Sequence, residues 1–192
     1  RVMAATLLLA EQFDPSRCPA FEPVRYWYKS VQVAYCASRL APKVIPEEIR
    51  DAAYLGGLLH NIGLLVIAHC FPEETHRALS LKNEDSERSL TALERGLLGF
   101  DHYAAGQMLL TEWQLPKPVI DSATLFHSIN PQSDYQLLIQ LVQFTLNWAQ
   151  DSFDLPVTFN SSIDFEESVL VRVAKECSNE QEQLHAFAEL LS

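Results

Sequence analysis

Leu58-Leu59-His60-Asn61-Ile62-Gly63-Leu64-Leu65 is an apolar segment interrupted by one polar pair, and it anchors the reading of everything around it. Upstream, Pro46-Glu47-Glu48 is a helix start, with proline in the first turn and two carboxylates at the positive end of the helix dipole. The helix runs through Leu55, Leu58 and Leu59 to His60. Gly63 is expected to break or bend it, and an apolar stretch continues to Phe71, before Pro72.

The same reading extends in both directions. From Val24 to Leu40, Trp27, Val31, Ala34 and Tyr35 fall at helical spacing, and Pro42 and Pro46 punctuate the gap that follows. A helix is expected after Pro72, with a polar loop at Asn83 to Arg88. Ser86 to Leu98 reads as helix, ended by Gly99, and Asp101 caps the next helix, His102 to Trp113. Pro116 opens a helix to about Ser128, and Pro131 marks a turn. Ser133 caps a long apolar helix through Leu137, Leu141, Phe144 and Trp148. Residues 151–163 read as an irregular linker, extended from Pro156 to Phe159. Asp164-Phe165-Glu166-Glu167 starts a helix, and Asn179 to Leu191 forms the last. With no alternating apolar run and no Asn-Gly or Asp-Gly turn, the class is all-α. Trp27, Trp113, Met3 and Met108 are expected in the core.

A chain of 192 residues and 21.7 kDa can bury a full core without disulfides or structural zinc. Twenty-five acids against fourteen bases give a formal charge of -11. That balance excludes a nucleic-acid binder working through bulk charge, and it excludes a polybasic membrane anchor. No window is read as approaching the ~20 apolar residues of a membrane span. Cys18, Cys36, Cys70 and Cys177 form no CxxC pair and no zinc spacing, so they read as reduced thiols of a cytoplasmic protein. The opening Arg1-Val2-Met3, with the small and apolar run Ala4 to Ala10, reads as the end of a helix that starts upstream.

Six histidines occur, and none sits in an HExxH pattern. Their surroundings are more telling. The segment Leu58 to Leu65 resembles the LLHDIGKL stretch of the HD superfamily of metal-dependent phosphohydrolases. Glu94 to Gly106 resembles the E…GxxHxxxG stretch that follows it in those proteins. Trp113-Gln114-Leu115-Pro116 and Phe126-His127 are similar to WxLP and a terminal HH, and Trp27 to Ala34 is similar to WxHSxxVA. These pieces, in order over about residues 22 to 150, resemble one branch, the HDOD (HD-related output) domain of bacterial signalling proteins. The resemblance implies a multi-helix HD-like bundle. Residues 1–192 are then a single HDOD-like domain lacking its N-terminal helices, with 164–192 a C-terminal helical pair packed on the same core.

An HD site is implied to hold a divalent metal in a His, His-Asp, Asp cage, and metal needs anionic oxygen as well as imidazole. This chain departs from that set. The first histidine aligns with Lys29, the motif aspartate with Asn61, the first of the terminal histidine pair with Phe126, and the last aspartate with Asn147. His60, His102 and His127 remain. Two unit charges ~4 Å apart interact by roughly 4 kcal/mol at an effective dielectric of 20, so a cation beside Lys29 is disfavoured. No metal and no cofactor is expected. Lys29 is expected to fill the vacated space and donate to Asn61 or Glu94. Lys29, His60, Glu94, His102 and His127 are the candidate ligand-binding residues.

Two classes of function follow. One is a non-catalytic signal-transduction module that binds a protein, such as a receiver or cyclase domain, or a small ligand such as a nucleotide. The other is a phosphohydrolase acting on a nucleotide or cyclic dinucleotide through a non-standard site.

Overall fold

The computed structural model describes residues 14–128, 130–155, 157, 161 and 163–192. The expectations for Met3, for Ala4 to Ala10, and for most of the extended stretch at 156–159 lie outside those residues. Among the described residues there is no strand. The α-helices are α1 (Pro23–Val44), α2 (Asp51–Leu59), α3 (Ile62–Cys70), α4 (Pro72–Glu84), α5 (Leu90–Leu98), α6 (His102–Glu112), α7 (Lys117–Thr124), α8 (Gln136–Gln150), α9 (Glu167–Asn179) and α10 (Gln181–Leu190). Short 3₁₀ turns at Pro15–Arg17 and Glu47–Ile49 complete the described helical structure.

The central element is α1. It packs against α2, α8, α9 and α10, so Trp27, Ala34, Cys36 and Leu40 have no exposed surface. One core runs from α1 through Leu58 and Leu59, Ile62 and Leu65, Leu138 and Leu141 to Trp148. Val173, Cys177 and Ala188 of the last two helices belong to that same cluster. Trp148 is fully buried, and its indole N–H donates to the Asp154 carbonyl at 3.1 Å.

Several boundaries differ from the sequence reading, each for a local reason. The first helix does not stop at Leu40. It continues to Val44 with Pro42 inside its last turn, because Leu40, Ala41 and Ile45 are all buried there. Pro46 opens a 3₁₀ turn, and the α-helix proper begins at Asp51. The break near the polar pair falls at Asn61 (φ -123°, ψ 16°), two residues before Gly63. Gly63 lies inside α3 and serves a close approach instead: a Cβ there would sit 1.7 Å from the His102 carbonyl oxygen and 2.6 Å from the Gly106 nitrogen. Helix α5 starts at Leu90, where the Ser89 hydroxyl accepts from the Ala92 N–H, and not at Ser86. Helix α7 stops at Thr124, short of Ser128.

Ser133 is not the cap of α8. Its hydroxyl donates to Asp121 at 2.5 Å and accepts from the Tyr135 N–H, and Ser133 stands three residues before Gln136, where the helix begins. Asp121 is buried and also receives the Lys117 ammonium at 2.8 Å on both oxygens. Gly99 does end α5, at φ +84°, and Asp101 does cap α6 by accepting from the Ala104 N–H at 3.0 Å. Met108, expected in the core, is 77% exposed, and Trp113 is half-buried.

One reading of the chain's hydropathy also needs correction. Glu47–Cys70 is long and apolar enough to cross a membrane by length and composition, with a window of mean hydropathy 1.4. Here it is divided between helices, and 67% of that window is buried within the bundle.

Candidate functional site

The break at Asn61 places His60 at the end of α2, and the Gly63–Gly106 contact brings the start of α6 against it. His102 is the first residue of α6, so its backbone N–H has no partner within the helix. Glu94 supplies one from α5. Its Oε2 accepts the His102 N–H at 3.0 Å, and its two oxygens lie 2.6 and 2.9 Å from His102 Nδ1. Glu94 is fully buried and His102 is 6% exposed. Asp101 caps the same helix and pairs with Arg95. Carboxylates at a helix N-terminus are favoured by its partial positive charge.

His60 is also buried, and its Nδ1 donates to the Gly57 carbonyl at 2.7 Å. Loss of water around the ring pushes its pKa down to about 4; the charges of His102 and Lys29 act in the same direction, and the Gly57 carbonyl opposes them. The ring is therefore neutral near pH 7, with its proton on Nδ1 and a lone pair on Nε2. Both His60 and His102 thus have Nδ1 engaged, which leaves Nε2 as the nitrogen for any ligand.

The early end of α7 sends Phe126 and His127 into a turn over these rings. Phe126 is buried, edge-on to His60 at 5.5 Å between centroids and edge-on to Tyr103 at 5.5 Å. His127 is exposed and lies flat on Tyr103, 3.7 Å away and 7° from parallel. Partial loss of water is the largest cause lowering its pKa.

A cleft of about 800 Å³ opens over this cluster. It is lined by His60, Asn61, His102, Tyr103, Phe126 and His127, and Lys29 also borders it. Of the candidate positions it leaves out two. Glu94 lies beneath it, spent on His102, and Asn147 is not in its wall; Leu146 stands there from the same helix. Lys29 is exposed and donates to neither Asn61 nor Glu94, contrary to the expectation for its ammonium. Glu94 was predicted as an acceptor for the wrong partner. The available clue was that Leu90, Glu94, Leu97 and Leu98 share one helical stripe, which places an acid in an apolar face.

Tyr103, Arg25 and Lys82 are site residues that sequence reasoning missed. Arg25, Lys29 and Lys82 are the cations of the cleft wall, against the single carboxylate Glu22, which pairs with Arg25 at 3.6 Å. No periodicity announces them, because they come from two helices and meet only in space.

A divalent metal needs anionic oxygen as well as imidazole. Asn61 is a neutral amide, Phe126 offers a ring edge, Lys29 is a cation, and both Glu94 oxygens are engaged by His102. Among the described residues, no three His, Cys, Asp or Glu side chains are grouped to hold a metal ion. This donor set does not fit a divalent cation.

Comparison with known proteins gives one family, the HDOD domain, whose model matches residues 1–129. A protein of uncharacterised function from Treponema pallidum (strain Nichols) is 28% identical over 126 residues, 64% of this chain; the match spans only 24% of that protein's length. Among solved structures, the MmoQ response regulator from Methylococcus capsulatus str. Bath has a TM-score of 0.62 at 25% identity, covering 92% of this chain and 64% of that one. A protein provisionally described as a phosphohydrolase, from Shewanella amazonensis SB2B, has a TM-score of 0.62 at 18% identity, covering 90% of this chain and 65% of that one. At that identity the second likeness shows the fold alone.

Proposed function

The chain belongs to the HDOD domain family, and on that premise we propose that it is a non-catalytic signal-transduction module that acts by binding a protein or small ligand. The observation that carries this reading is Phe126. An apolar ring is packed against His60 where an active HD site is implied to have a metal-binding histidine. Asn61 in place of the motif aspartate and Leu146 in the cleft wall point the same way, since neither offers negative charge. The likeness to a response regulator supports a signalling context, with coupling to receiver or cyclase domains. The compartment consistent with four unpaired thiols is the cytoplasm.

A second reading keeps the cleft as a nucleotide site without turnover. The observation favouring it is the excess of cations in the cleft wall of a chain with net charge -11. A phosphate group between Lys29 and Lys82, with a base against Tyr103, would use that excess.

The test is metal analysis of protein purified without chelator, with turnover assays on nucleotides and cyclic dinucleotides in added Mn, Mg, Fe or Zn. The expected result is less than one bound metal per chain and no turnover. One tightly held transition metal per chain, or turnover abolished by His60→Ala and by His102→Ala, favours the phosphohydrolase instead. Calorimetric titration with the same nucleotides separates the ligand-binding reading from a purely protein-binding module.

A further inference from the structure

The cleft over His60 and His102 is also a gap between two parts of the bundle. Helix α1 packs on α2, α8, α9 and α10, whereas α4 packs on α3 and α5. Both groups reach the cleft, with Arg25, Lys29 and Gln32 coming from α1 and Lys82 and Asn83 from α4. The Ala20 N–H donates to His76 Nδ1 of α4 at 3.1 Å, which ties the segment before α1 to the opposite wall. The opening is therefore built into the fold.

The charge of the cleft is opposite to that of the chain. The sequence has 25 acids against 14 bases, yet Glu22 is the only carboxylate in a wall that holds Arg25, Lys29 and Lys82. Glu22 answers Arg25. Among the described residues, neither Lys29 nor Lys82 has an acidic partner. The Lys82 ammonium gives one proton to the Ser86 carbonyl and keeps two to donate. Arg25 and Lys29 stand four residues apart on α1, a spacing at which like charges cost helix stability. An anion in the cleft would relieve that repulsion. The neutral polar groups show what kind of anion fits. The side-chain amides of Gln32, Asn61, Asn83 and Gln150 line the cleft and make no hydrogen bond among the described residues. Each offers both a donor and an acceptor. A peptide backbone presents both at every residue, whereas a phosphate group mainly accepts. Leu79, Leu90 and Leu146, all half-buried, add apolar surface to the same wall.

We propose that this cleft is the docking site for an extended acidic segment of a partner protein. Carboxylates of that segment meet Lys29 and Lys82, its backbone pairs with the cleft amides, and its apolar side chains rest on Leu79, Leu90 and Leu146. The proposal builds on the reading of the chain as a non-catalytic module and names the chemistry of its partner. A cleft of about 800 Å³ holds several residues of such a segment. The acidity of the rest of the surface then repels an acidic partner everywhere but here, which gives the contact its specificity.

The test selects a random dodecapeptide library, displayed on phage, against the immobilised full chain, and titrates a selected peptide by fluorescence anisotropy. The expected peptides are rich in Asp and Glu with Leu or Phe among them. Their affinity should fall as salt rises from about 50 to about 500 mM. Lys29→Glu and Lys82→Glu should each weaken binding about tenfold. Lys175→Glu makes the same charge change at an exposed position of α9 outside the cleft, and should leave affinity within about twofold. Selection of no peptide, selection without acidic enrichment, or equal weakening by Lys175→Glu overturns the proposal. So does titration with AMP or GMP if the nucleotide binds, Lys29→Glu abolishes that binding and no peptide is selected; the occupant is then a nucleotide. Bound metal or turnover would overturn the non-catalytic reading instead, and is measured apart from peptide binding, so the two failures are distinguishable.

Discussion

His60 lies where burial matters most for a titrating group. Its ring has a folded pKa of about 4, against 6.5 for a free histidine, chiefly because the charged form loses its water. A depressed pKa contributes stability above the unfolded value, and that stability is lost as pH falls from about 6.5 through 4. A shift of this size corresponds to about 3 kcal/mol. Urea denaturation at stepped pH should therefore show the parent protein losing about that much more than His60→Gln over this window; equal slopes would remove His60 as the cause. At this scale the sequence located the histidines but not their partners. That His60 uses Nδ1 on Gly57, and that His102 uses Nδ1 on Glu94, depends on helix ends no motif records. Lys29 shows the opposite error. A lysine where the resemblance implies a histidine was legible, but a flexible ammonium at a rim stays with water instead of entering a buried cluster.

Two glycines separate what an element needs alone from what it needs against a neighbour. Gly63 in α3 has the His102 carbonyl where its side chain would be, at 1.7 Å from a built Cβ. Gly63→Ala must drive α3 from α6, and is expected to lower stability by about 2–4 kcal/mol, as overpacking against backbone does. Gly96 in α5 has nothing within 4 Å. Gly96→Ala is expected to raise stability by about 0.5–1 kcal/mol through helix propensity alone. Thermal unfolding of the two variants checks both signs. The sequence read Gly63 as a bend because a glycine beside a polar pair looks like a breaker. The break occurs at Asn61, and the demand on Gly63 comes from a helix forty residues away in the chain.

The whole molecule is organised around α1, whose buried faces need both the middle helices and the last two. Val173, Cys177, Leu184 and Ala188 share the cluster that holds Trp27, Leu40 and Trp148. A chain ending at residue 163 would expose that surface. It is expected to lose cooperative unfolding and to bind a hydrophobic dye at room temperature, which calorimetry and dye fluorescence would detect. The all-α class, the capping of α6 and the end of α5 were legible by themselves, because periodicity, Asp101 and Gly99 act within a few residues. So was Asn61 where the resemblance implies an aspartate, because residue identity is read without the fold. Only the tertiary structure decided that Phe126 packs on His60, that Glu94 serves His102, and that three cations gather at one cleft of an acidic chain. Those contacts join residues from different helices, and their distances depend on how the helices pack, which no local pattern encodes.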